Sequence, residues 1–188
     1  MNKAFKLDKG NDSLHSVGGI YLAGQSLKTS QITEVFKNQK RANLQFQDVD
    51  LLKSQIGLLV QGRERYTDIG QFRDNEVFMK SLEINGVASE ETLRQRLEKM
   101  PITHNELLKQ ANLQLLKKRS LGAITKAGMT FIPLDMDVSP LDNSQSKKEF
   151  VGWTYKGHDG YAPMFSYIGS EGFMLSNELR PGSQHSQK

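Results

Sequence analysis

The spacing of apolar residues changes near Gly128, and this change limits the chain to a mixed α+β fold. Upstream of Gly128, apolar residues recur three and four positions apart, as in 48–59 and 89–99, which is the period of amphipathic helices. Downstream, apolar residues gather in short runs of strand length that are bounded by glycine and polar residues. We therefore predict a helical domain at residues 1–125, followed by a strand-rich domain at residues 126–188.

The second domain is predicted to begin with three strands, at 130–139, 161–168 and 173–179. The sequence Gly-Ser-Glu-Gly at 169–172 predicts a hairpin turn between the last two strands. Side chains alternate between the two faces of a strand, so the first strand has one apolar face, which we expect to be buried. That face is formed by Ile132, Leu134, Met136 and Val138.

Composition and charge exclude several classes of protein. The chain has no cysteine, which excludes disulfide scaffolds, cysteine nucleophiles and thiolate metal sites. No apolar run approaches the ~20 residues that span a bilayer, and no signal-peptide core follows Met1, so we expect a cytoplasmic protein without membrane contact. Residues 1–128 hold 20 Lys and Arg against 14 Asp and Glu, whereas residues 129–188 hold 5 against 7. The basic first part favours a polyanionic partner.

Asp135 and Asp137 are the strongest candidates for chemistry. Both lie on the second face of the first predicted strand, and two carboxylates on one face repel each other unless a positive charge compensates them. Mg²⁺ binds proteins through one or two carboxylates together with phosphate oxygens. The spacing alone leaves two interpretations open, a divalent metal site and an ordinary pair of solvent-facing acids.

The sequence also resembles a known family, the DDE-type transposases (DDE group 1) of bacterial insertion sequences, along nearly its whole length. The similar segments are 13–22, 56–62, 68–73, 89–97, 134–139 and 172–186. The resemblance implies that the second domain holds the first strands of a ribonuclease-H-like catalytic domain. In that family two Asp and one Glu hold two Mg²⁺ or Mn²⁺ ions, which cleave and rejoin phosphodiester bonds. The resemblance makes Asp137, with Ser139 after it, the first catalytic acid and a metal ligand, and Asp135 the alternative or accessory ligand.

Members of that family are longer and place their second Asp and their Glu beyond the first hairpin. We therefore expect this chain of 188 residues to be a truncated transposase without cleavage activity of its own. Two alternatives stay open, a DNA-binding regulator of the full-length transposase and a decayed remnant. Because an incomplete sheet leaves an unpaired edge, we also predict low stability and self-association of residues 129–188.

Cations of the helical part are the predicted contacts to DNA, because the family implies binding to the terminal repeats of the element and hence a location at the nucleoid. They are Arg63, Arg65, Arg94, Arg96, Lys117, Lys118 and Arg119. Residues 89–99 are the candidate recognition helix, in which Arg94 and Arg96 contact bases or phosphates.

Two points in this DNA-binding prediction have ordinary alternatives. Arg94 and Arg96 are also placed to pair with Glu90, Glu91 or Glu98. Trp153 and Tyr155 are candidates for stacking on a base, although packing within a hairpin is the commoner use of such residues.

Overall fold

Helices occupy the first part of the chain and strands the last part, as the change of period near Gly128 predicts. The computed structural model describes residues 18–184. The described residues divide into two units, the first formed by 18–28 and Phe36–Pro101, the second by Thr29–Val35 and 102–184. The prediction of an α+β protein is confirmed. The predicted division after residue 125 falls within a short strand of the second unit, and as a boundary between functional domains it stays a prediction.

The helices follow the apolar periodicity closely. They are α1 (Ile20–Thr29), α2 (Ile32–Val35), α3 (Asp48–Val60), α4 (Glu76–Leu82), α5 (Glu90–Glu98) and α6 (His104–Leu116), with 3₁₀ helices at Lys37–Gln39 and Tyr66–Phe72. None of the helices within residues 18–184 is long and apolar enough to cross a membrane.

The core of the first unit lies around α3. Leu51 and Leu58 of α3 are buried together with Phe72, Phe78 and Leu93. The rings of Phe72 and Phe78 stack with their centroids 4.5 Å apart. Burying a side chain of this size contributes about 1.5–3 kcal/mol, so this cluster holds α3, α4 and α5 together.

The end of α3 and the start of α5 have local causes in the sequence. α3 ends where Gly62 takes a left-handed conformation with φ of +68°. The N–H of Gly62 donates to Leu59 O (2.9 Å) and the N–H of Arg63 to Leu58 O (3.0 Å), which is the Schellman pattern of a glycine-terminated helix. α5 begins at its predicted cap, where the hydroxyl of Ser89 accepts from the N–H of Thr92.

The second unit joins α6 to three small antiparallel sheets. Its strands are β1 (Ile124–Lys126), β2 (Met129–Phe131), β3 (Leu134–Val138), β4 (Leu141–Asp142), β5 (Gly152–Trp153), β6 (Asp159–Tyr161), β7 (Met164–Ile168) and β8 (Phe173–Glu178). The strand orders are β1-β2, β3-β7-β8 and β4-β6-β5. The predicted hairpin is confirmed as β7 and β8, and the Asn112 amide of α6 donates to Met174 O (3.0 Å) and Leu175 O (3.2 Å) of β8.

The predicted first strand at 130–139 is divided into β2 and β3, and the prediction that its apolar face is buried is wrong for three of the four residues. Leu134 and Met136 of β3 are each 58% exposed, and Ile132 before β3 is 53% exposed. β3 is the edge strand of its sheet and, among the described residues, pairs with β7 alone. An apolar face becomes buried only when a second layer packs on it, and residues 18–184 leave these side chains in solvent.

Candidate active site

Strand β3 presents two carboxylates on one face, as the sequence predicts. Asp135 lies opposite Tyr167 of β7, and Asp137 lies opposite Phe165. Both aspartates are exposed. Residues two apart in a strand have Cα atoms about 7 Å apart. At this spacing two carboxylate side chains on the same face can both reach one ion.

Asp137 has a hydrogen-bond partner that orients it. The hydroxyl of Ser139 donates to Asp137 Oδ2 at 3.3 Å. The backbone N–H of Ser139 in turn donates to Pro163 O at 3.1 Å, which fixes the position of Ser139 beside the start of β7. Ser139 is therefore a positioning residue for Asp137, and it leaves the second carboxylate oxygen available to a ligand.

The other acids of the hairpin are engaged elsewhere. Glu171 accepts from the N–H of Gly122 at 2.7 Å, and Glu178 pairs with Arg180 at 2.8 Å. Within residues 18–184, no group of three His, Cys, Asp or Glu side chains lies close enough to hold a metal. Asp135 and Asp137 therefore suit one divalent cation completed by water and phosphate oxygens, but the described residues do not form a cage of three acids.

Asp137 also lines a groove that the sequence does not predict. The groove has a volume of about 850 Å³ and is lined by Met136, Asp137, Val138, Trp153, Thr154, Tyr155, Gly157, Met164, Gly182, Ser183 and Gln184. The hydroxyl of Tyr155 donates to Val138 O at 3.2 Å, which ties the aromatic wall to the end of β3. The local signal for this wall is the pair of aromatic residues at 153 and 155, but its closeness to Asp137 depends on the fold.

The comparisons with known proteins decide the family. The model of the transposase DDE domain, group 1, matches residues 2–188. The chain belongs to this family. No curated protein and no solved structure matches it. The predicted resemblance to DDE-type transposases is thus confirmed, and with it a family that acts on DNA and generally uses divalent metal ions.

In this DDE transposase domain, Arg94 of the candidate recognition helix is held by its own helix. Its guanidinium lies 2.8 Å from Glu91 and 2.8 Å from Glu98. These hydrogen bonds raise the pKa of Arg94 and lower the pKa of Glu91. The intramolecular pairing that the sequence offered as an alternative is present, and contact of Arg94 with DNA stays a prediction.

Arg96 joins two helices of the first unit. Its guanidinium pairs with Asp48 in the first turn of α3, and it also donates to Phe46 O at 3.3 Å. Arg41 approaches the same carboxylate at 3.6 Å. The side chain of Asp48 is only 6% exposed, so this is a buried tie between α3 and α5. Sequence analysis missed it, because the partners are 48 positions apart.

The remaining predicted DNA contacts are exposed cations. Arg63 and Arg65 follow α3 in the first unit, whereas Lys117, Lys118 and Arg119 follow α6 in the second. None of these five makes an ion pair with another residue of the described range 18–184. They are therefore available for phosphate groups, and their contact with DNA stays a prediction.

Proposed function

We propose that this chain provides the first metal-binding acid, Asp137, of an insertion-sequence transposase. The observation that carries the proposal is the exposed pair Asp135 and Asp137 on one face of β3, inside the segment that matches a transposase DDE domain. We assign the antiparallel strands β3, β7 and β8 to the start of a ribonuclease-H-like domain, which the family implies. Transposition would then proceed by metal-dependent phosphodiester cleavage and strand transfer.

Each residue of the pair has a role in this proposal. Asp137 would hold the divalent ion, Mg²⁺ or Mn²⁺, and Asp135 would act as the accessory ligand. When bound, such an ion polarises the phosphate and lowers the pKa of a water or hydroxyl nucleophile. Ser139 orients the Asp137 carboxylate through its hydroxyl, and the ladder to β7 keeps both aspartates on the same face.

Cleavage needs more acids than residues 18–184 bring together. Two-ion chemistry holds its ions about 3.5–4 Å apart and depends on carboxylates that bridge them. Because the described residues place no third acid beside Asp137, we infer that this chain binds the metal weakly and is inactive in cleavage by itself.

Metal binding and cleavage test the proposal separately. We expect Mn²⁺ to broaden the NMR signals of β3 in the whole chain, and Asp137→Asn to abolish this broadening. Asp142→Asn is the matched control, because Asp142 is an exposed acid of the same unit that is hydrogen-bonded to Ser144. Unchanged broadening in Asp137→Asn would overturn the assignment of Asp137.

The cleavage assay uses duplex DNA that carries the terminal repeats of the element, with Mg²⁺ or Mn²⁺. We expect no strand cleavage by the chain alone. Turnover that Asp137→Ala abolishes would show that the acids present are sufficient, and the inferred incompleteness would then be wrong.

A second function, binding of the terminal repeats without cleavage, is favoured by the exposed cations. In that role the chain would occupy the DNA at the nucleoid or pair with full-length transposase and so regulate it. Each phosphate that a protein neutralises contributes about −0.9 to the slope of log affinity against log salt concentration, so loss of one contact makes the slope less steep by that amount. We expect a double variant, Arg63→Ala with Arg65→Ala, to lower both the affinity and the salt slope in a gel-shift series. Lys80→Ala is the control, because Lys80 is already paired with Glu76 at 2.7 Å.

A further inference from the structure

Residues 147–156 combine lysines with exposed aromatic side chains. The lysines are Lys147, Lys148 and Lys156, and the aromatic residues are Phe150, Trp153 and Tyr155. Trp153 is 64% exposed, Tyr155 is 70% exposed and Phe150 is 76% exposed. Cations close to exposed rings are typical of surfaces that bind single-stranded nucleic acid.

A buried threonine anchors the ribbon between Trp153 and Tyr155. Thr154 between them is 1% exposed, and its hydroxyl donates to His158 O at 2.8 Å while its N–H donates to the same oxygen at 2.9 Å. Tyr155 then enters a turn, in which the N–H of Gly157 donates to Thr154 O at 3.1 Å, and both rings stay exposed beside this anchored residue. Both rings line the groove that contains Asp137.

The other wall of the groove is packed too closely to collapse onto the rings. The N–H of Gly182 donates to Gly160 O at 3.1 Å. A Cβ at position 182 would lie 2.1 Å from Gly152 O and 2.6 Å from Gly160 O, so only glycine fits there. The segment that carries Ser183 is therefore fixed against β5 and β6, and the groove is present before any ligand binds.

We propose that this groove binds unpaired bases of a DNA strand, which stack on Trp153 and Tyr155 beside Asp137. Lys147, Lys148 and Lys156 of the ribbon suit phosphates, although Asp142 and Asp159 flank them and the second part of the chain is acidic overall. The flat faces of bases are covered by their neighbours in a duplex, so exposed rings recognise bases that are unpaired. This inference rests on the proposed function, since it states that the DNA beside Asp137 is single-stranded.

The single tryptophan of the chain makes the test direct, because Trp153 is the only source of tryptophan fluorescence. The whole chain is titrated with a single-stranded DNA oligonucleotide, and with a blunt duplex of the same sequence. Tryptophan emission reports stacking, and the anisotropy of a label on the DNA reports binding. We expect the single strand to quench Trp153 strongly and the duplex to quench it much less.

Variants assign the affinity to the ring. Loss of one base-stacking ring weakens single-strand binding by roughly 5- to 150-fold, so we expect Trp153→Ala to fall in this range and Trp153→Phe to keep most of the affinity. Tyr155→Phe, which removes only the hydrogen bond to Val138 O, separates the ring of Tyr155 from its hydroxyl. Circular dichroism confirms that each variant is folded, and the quenching of Trp153 in the unaltered chain keeps the test valid if Trp153→Ala does not fold.

Three results would overturn the inference. They are binding of the single strand without quenching, an unchanged affinity in Trp153→Ala, and no binding of the single strand at all. Each of these leaves the Mn²⁺ response of Asp137 untouched. A lost Mn²⁺ response with intact quenching would instead refute the proposed function and leave the stacking site standing.

Discussion

The pair between Arg96 and Asp48 allows a sharp distinction between a structural arginine and a DNA-binding one. Asp48 lies at the start of α3 with its side chain 6% exposed, and Arg96 of α5 is 23% exposed. Replacing Arg96 by alanine leaves the carboxylate of Asp48 buried without its closest cation. We expect this substitution to destabilise the protein and to leave DNA affinity unchanged.

The size of the loss follows from the surroundings of Asp48. Breaking a fully buried ion pair from one side costs about 3–5 kcal/mol, whereas an exposed pair contributes about 0–1 kcal/mol. Here Arg96 retains some solvent contact, and Arg41 stays 3.6 Å from Asp48. The N-terminal dipole of α3 also favours a carboxylate at this position. We therefore expect Arg96→Ala to lower the free energy of unfolding by about 2 kcal/mol.

Urea denaturation measures this loss. The slope of the free energy of unfolding against urea concentration should stay the same, because a changed slope would indicate an altered unfolded state. A double-mutant cycle with Asp48→Asn should return a coupling of about 1–2 kcal/mol. Arg94→Ala on the same helix is the control and should lose much less stability, because Arg94 pairs only with exposed partners. A stability change below about 0.5 kcal/mol together with weaker DNA binding would refute the reasoning and make Arg96 a DNA contact.

Three further predictions follow from other features. Gly62→Ala should lower the free energy of unfolding by about 1 kcal/mol in urea denaturation, because an alanine at φ of +68° is strained, and an unchanged stability would contradict the assigned helix cap. Burial lowers the pKa of Lys53 from its ordinary 10.5 and outweighs Asp50 and Glu83, whose charges raise it. The folded state therefore loses this proton at a lower pH than the unfolded state, and between the two pKa values the free energy of unfolding should rise with pH relative to that of Lys53→Met. Parallel pH profiles of stability for the two proteins would contradict this. Met136→Lys should reduce self-association in analytical ultracentrifugation, because Met136 is 58% exposed on an edge strand and a charge there opposes pairing of edges; a wild-type chain that stays monomeric at high concentration would contradict the predicted self-association.

Local patterns in the sequence predict the helices and the hairpin well. α3 and α5 follow from apolar spacing, from Ser89 as a cap and from Gly62 as a terminator, all of which act within a few residues. The same holds for β7 and β8 around their glycine-bounded turn. These features need no knowledge of the rest of the chain.

Features that join distant segments are not predictable in this way. The pattern of β3 reports that Leu134 and Met136 share a face, but it carries no information on what covers that face. Likewise Arg96 looks like any cation on a helix, and only the fold brings it to Asp48. The acid pair is predictable because both members lie on one strand, whereas the groove beside it needs residues from four separate segments.

The clasp between Gly122 and the β7–β8 turn has a mechanical consequence. Both backbone polar groups of Gly122 are hydrogen-bonded to this turn: its N–H donates to Glu171 Oε2 at 2.7 Å, and its carbonyl oxygen accepts from the N–H of Ser170 at 3.1 Å. Lys117–Arg119 come immediately before this clasp, and β7 leads from it to β3 and Asp137. The end of α6 is therefore fixed to the β7–β8 turn, so hydrogen bonds as well as the chain itself connect Lys117–Arg119 with the sheet that carries Asp137.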